Sequence, residues 1–116
     1  MKIIKKDVPI YFGRLDMVIS DDFKSAADQL GIDYSGHDLA LYCAFTEDEG
    51  WTTDGEPKYT IFLSPDCKPD LIAHEAVHIA NYIYKNAHIK HDFDNDEPFA
   101  YLVAWVVGEI HKSLKK

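Results

Sequence analysis

Apolar residues recur along this chain with two periods, and the places where the period changes divide it into six elements. Val8 to Ile19 is rich in β-branched and aromatic residues and predicts a first strand within that stretch. "SDDFKSAADQLG" then changes to a helical period. Ser20 or Asp21 is the expected cap, Phe23, Ala26, Ala27 and Leu30 form the stripe, and Gly31 is the stop. "HDLALYCAFTE" and "KYTIFLS" alternate as strands do, and the turn-rich "DEGWTTDGEP" between them, sharpest at Asp54-Gly55, predicts a long hairpin. After a loop bracketed by Pro65 and Pro69, Ile72, Ala76, Ile79 and Ile83 return to helical spacing, predicting a helix from about residue 69 or 70 to about 85 or 87. A polar loop, "NAHIKHDFDND", separates it from a last helix that starts near Asp96 to Pro98 and carries Phe99, Leu102, Val103, Val106 and Ile110. The order β-α-β-β-α-α predicts an α+β fold: a small twisted sheet of three or four strands, packed on one early helix and on the two late ones.

Composition narrows the function classes. A chain of 116 residues is most simply one domain, residues 1–116, and 47% apolar residues give it material for a core. The net charge of −8 argues against docking on nucleic acid or on anionic membrane, because both need clustered Lys and Arg. It leaves open an acidic decoy that engages a basic protein. Two cysteines, Cys43 and Cys67, make no disulfide scaffold. The start has no apolar stretch of a secretory signal, and no apolar run approaches the roughly 18 residues of a membrane span. A cytoplasmic monomer with reduced thiols is the expectation.

Chemistry concentrates in "HEAVH". His74 and His78 are four residues apart on a predicted helix, so they project from one face, about 40° apart around the axis, and two imidazoles can reach one ion. Glu75 sits beside that line, where a carboxylate can take the proton of a water polarised by the metal. The plain competing account is a chance pair of histidines on a packed helix. A tetrahedral catalytic zinc needs a third protein ligand. The metzincin extension would require glycine at 81 and histidine at 84, where this chain has Asn81 and Tyr84. Glu97 opens the last helix, followed along one side by Ala100 or Tyr101, Ala104 and Gly108. The earlier helix offers Ala73, Ala76 and Ala80, so a close approach would bring Glu97 to the histidines. Its duller role is a first-turn carboxylate favoured by the helix dipole. His88, His91, Asp92, Asp94 and Asp96 crowd the connecting loop as alternative ligands or as partners of an imidazole. Tyr82 and Tyr101 are the nearest tyrosines to stabilise an oxyanion.

Through "HEAVH" and the later "NDEPFAYLVAW" the chain resembles the gluzincin branch of the zincin metallopeptidases, and most of all the small zincin-like proteins encoded in phages and prophages. The resemblance covers about residues 58 to 110. It implies a minimal zincin-like fold with one zinc ion per chain, His74, His78 and Glu97 as its ligands and Glu75 as general base. It also implies that the strand from Tyr59 to Leu63 is the sheet edge, with Tyr59, Thr60 and Ile61 binding an extended peptide substrate. Larger gluzincins place an aspartate one turn after the glutamate, where this chain has Tyr101, and they wall the cleft with a second subdomain. The expected function is therefore a minimal zinc metallopeptidase acting on a peptide or protein substrate. Two expectations from other classes stand beside it: a zinc-stapled binding module, phage-encoded and directed at a host protein, and the acidic decoy.

Overall fold

The computed structural model describes residues 1–32, 44–52 and 54–115; within the strand at 44–51, Thr46 is the one described side chain. The elements are β1 (Lys2–Asp7), β2 (Arg14–Ile19), α1 (Phe23–Leu30), β3 (Ala44–Trp51), β4 (Pro57–Leu63), α2 (Pro69–Asn86) and α3 (Glu97–Leu114). The strands form one four-stranded mixed sheet in the order β1-β2-β4-β3, and the fold is α+β. β1 pairs antiparallel with β2, β2 parallel with β4, and β4 antiparallel with β3.

Alternation of side chains sorts the two central strands between two cores. Leu15, Met17 and Ile19 of β2, with Tyr59, Ile61 and Leu63 of β4, face α2 and α3 and meet Ile72, Ala76, Ile79, Ile83, Leu102, Val106 and Ile110. On the other face Val18 and Phe62 meet Phe23, Ala26, Ala27 and Ile32 from α1 and its exit. With a helix layer on each face, β4 is buried along almost its whole length, which is why the alternation of "KYT" gives way to apolar residues on both faces at Ile61, Phe62 and Leu63.

Local signals account for most boundaries. The α1 cap is Asp22, one or two residues later than expected, with its carboxylate accepting from the Ser25 amide at 3.0 Å. Gly31 closes α1 in the left-handed conformation, φ +69°. The turn into β4 carries Gly55 at φ +83°, between Thr52 and Glu56, whose main chains are bonded at 2.7 Å. Both late helices start with proline in the first turn.

The strand expected within Val8 to Ile19 is β2, which follows a turn, Val8–Gly13; the element that was not expected is its partner, the lysine-rich β1. As an edge strand β1 keeps few side chains buried, so "KIIKKD" lacks the apolar alternation that would have marked it. The turn is held by a Val8 amide to Gly13 carbonyl bond of 2.9 Å, and Ile10 and Phe12 both adopt left-handed φ, +67° and +68°. Gly13, at φ +124°, packs so closely that a β-carbon there would lie 3.0 Å from the Pro57 carbonyl oxygen and 3.1 Å from a Tyr59 ring carbon. The strand expected from His37 is described from Ala44 onward and runs on to Trp51; its earlier part, with Cys43, lies outside the described residues. The half-buried Cys67 thiol donates to the Lys68 carbonyl at 3.9 Å. Among the described residues no helix is long and apolar enough to cross a membrane.

Candidate metal centre

α2 buries Ile72, Ala76, Ile79 and Ile83 against the sheet, and that orientation turns His74 and His78 outward while rolling Glu75 toward the edge of β3. His74 is two-thirds exposed at its side chain, whereas Glu75 is 9% exposed overall. The two imidazoles converge: Nε2 of His74 and Nε2 of His78 are 3.2 Å apart. For zinc–nitrogen bonds of about 2.0–2.1 Å at a tetrahedral angle, two ligand nitrogens should lie about 3.3–3.4 Å apart, so the pair is already close to the spacing a metal demands. Without a metal, one ring donates to the other across the same gap.

Glu75 completes the cluster. Its Oε2 lies 3.9 Å from the Nε2 of His74, and its Oε1 accepts a 2.9 Å hydrogen bond from the Thr46 hydroxyl on β3. The ligand-capable atoms of His74, Glu75 and His78 all fall within 4.8 Å of one another, the sole such group of three among the described residues. A carboxylate held by a hydroxyl beside two convergent imidazoles can bind a divalent cation, or move a proton at a water that the cation polarises. Thr46 is the residue of the cluster's surroundings that sequence reasoning missed. Strand alternation alone does not say that a residue 29 positions earlier lies against Glu75.

The other expected site residues are elsewhere. Glu97 does not join the histidines. Its helix starts level with the far end of α2, where Phe99 packs edge-on against Tyr84 at 5.0 Å between ring centres. Tyr84 is six residues beyond His78, about 9 Å along the axis, and Glu97 is not among the ligand-capable side chains that gather at the cluster. It lines a groove with Pro9, Ile10 and Tyr101. Tyr101, 72% exposed, lines the same groove. Tyr82, one turn after His78 on α2, is half-buried against the core on the side of the cluster. Of the loop residues, His91 bonds Asn81 and contacts Tyr84 and Phe99, and none of His88, His91, Asp92, Asp94 and Asp96 enters the cluster.

The substrate-edge assignment is also corrected. Tyr59, Thr60 and Ile61 belong to β4, which pairs on both sides and is interior; the three residues are 0%, 1% and 0% exposed. The Tyr59 hydroxyl accepts instead from Asn86 Nδ2 at 3.0 Å, tying the end of α2 to the sheet. Among the described residues the edge strand beside the cluster is β3. Comparison with family models, with curated proteins and with solved structures returns no match for this chain.

Proposed function

We propose that this protein is a metal-dependent hydrolase of peptide bonds, with His74 and His78 holding a zinc ion and Glu75 acting as general base. The observation that carries the reading is the combination of a 3.2 Å Nε2 pair with a carboxylate that is nearly buried, 3.9 Å from it and oriented by Thr46. A pair of surface histidines that merely stabilises a helix requires no such carboxylate. A zinc ion bound there would polarise a carbonyl and acidify a water toward neutral pH. The protein's part is to hold Glu75 so that Oε2 takes the proton of the attacking water and later returns it to the leaving amine.

Strand β3 supports a peptide substrate in particular. Among the described residues it is the outer strand beside β4, with no strand paired on its far side. An extended peptide can add to that edge by main-chain hydrogen bonds and pass its carbonyls before Glu75. Catalytic zinc sites take three protein ligands and keep one position open. The described cluster supplies two imidazoles, with Glu97 held apart, so the donor set fits a metal in part.

A zinc staple for a binding module is the second reading, and the exposure of His74 counts against it, because structural zinc sites are closed by four protein ligands. Metal analysis and zinc titration of wild type, His78→Ala and Glu75→Gln, with a mixed peptide library read by mass spectrometry, separate these outcomes. Hydrolysis requires that wild type bind zinc and cleave, that Glu75→Gln bind zinc without cleaving, and that His78→Ala lose the metal. Zinc bound without cleavage favours the module. No zinc binding at micromolar metal ends the metal reading.

A further inference from the structure

At the other end of α2 the chain displays apolar side chains that its own core does not use. Ile10 and Phe12 are 95% and 62% exposed, and both are held at positive φ, a conformation that β-branched and aromatic residues seldom adopt. Tyr11 between them turns inward onto Tyr84, with ring centres 5.7 Å apart, so the turn is anchored while its neighbours point out. Strained backbone that presents apolar groups to water is the kind of outlier from which a function is inferred.

Two cavities open beside this turn. One, of about 490 Å³, lies between Ile10, Tyr101 and Trp105. The other, of about 520 Å³, lies between Phe93, His91 and Phe99. Tyr11, Asn95 and Pro98 line both, so they make one groove across the start of α3. Phe93, 97% exposed, and Tyr101, 72% exposed, stand at its rim. Asp92, Asp94, Asp96 and Glu97 run through the same stretch, all exposed, with Lys90 as the one lysine in the wall.

We propose that this groove binds a basic amphipathic segment of a partner protein, its apolar side chains seated between Ile10 and Tyr101 and its Lys or Arg residues facing Asp92, Asp96 and Glu97. Apolar anchors ringed by charges of one sign select a partner of the opposite sign. A second copy of this chain does not meet the requirement: each copy carries −8, and an isologous contact would bring the same carboxylates face to face. The groove stands apart from the histidine cluster, so this assignment does not depend on a bound metal.

The test uses the full chain and three labelled peptides of about 18 residues, five helical turns: an amphipathic Leu/Lys helix, its Leu/Glu counterpart and a scrambled Leu/Lys sequence. Anisotropy titrations at about 0.15 M salt should show binding of the first peptide alone. Ile10→Ser with Tyr101→Ser, which leaves net charge unchanged, should weaken it about tenfold, as should Asp96→Asn with Glu97→Gln. Asp21→Asn with Asp28→Asn removes the same charge from the α1 region and should change affinity less than about twofold. Absence of binding by the Leu/Lys helix overturns the proposal. Equal losses in groove and α1 variants would reduce it to nonspecific attraction, and a dimer in sedimentation that Ile10→Ser dissolves would make the occupant a second copy.

Discussion

Thr46→Val tests the contact that distinguishes the cluster from two helical histidines. The substitution keeps the branched shape and removes the hydroxyl that donates to Glu75 Oε1 at 2.9 Å. Hydrogen bonds to charged groups contribute about 1.5–3 kcal/mol, and leaving a nearly buried carboxylate short of a donor adds to the loss. Thr46 is only half-buried and water can enter, so the lower end applies, about 1.5 kcal/mol. For a chain of 116 residues each kcal/mol moves Tm by about 4 °C, which predicts a fall of about 6 °C. In a Glu75→Ala background the hydroxyl has no carboxylate to meet, and the same change should lower Tm by less than about 2 °C. Thermal and urea unfolding of the four proteins of this cycle give the coupling directly. Equal losses in both backgrounds would refute the reasoning, because Thr46 would then act through strand packing and Glu75 would be unsupported.

Four further outcomes follow from the geometry. Glu97→Ala should leave zinc affinity within about twofold of wild type by titration calorimetry, while His78→Ala abolishes binding; a large loss at Glu97 would mean that α3 shifts along α2 when metal binds. Gly13→Ala should cost about 2 kcal/mol or more in urea unfolding, since the β-carbon meets the Pro57 carbonyl at 3.0 Å in a backbone conformation that disfavours it. Ile10→Gly should stabilise the chain by about 0.5–1 kcal/mol, because an exposed side chain at φ +67° gives up nothing internal; unchanged stability would show that the turn is unstrained. Burial, then Tyr11, raises the Tyr84 pKa, so the folded state keeps a proton that the unfolded state releases. That stability is intact below about pH 10 and falls as pH rises from there through the folded pKa, and the fall should be shallower in Tyr84→Phe when Tm is followed from about pH 9 to 11.

What the sequence determined by itself is local. The helical period of Ile72, Ala76, Ile79 and Ile83 placed α2, and with it the common face of His74 and His78, because a four-residue spacing on a helix needs no knowledge of the rest of the chain. Gly31 and the Asp54-Gly55 turn were legible for the same reason: each depends on the dihedral freedom of one or two residues. Strand order, by contrast, was decided in three dimensions. Alternation in "KYTIFL" is satisfied equally at an edge or in the interior, and only pairing with both β2 and β3 made β4 central and β3, among the described residues, the edge beside Glu75. The position of Glu97 likewise depended on where α3 starts relative to α2, a register set by Phe99 against Tyr84 rather than by the small residues that follow. The bond from Thr46 to Glu75 spans 29 residues and exists because two packed layers meet there. Periodicity encodes which face of an element is apolar. It carries no information on which element will cover that face, and the composition of the site is decided by that cover.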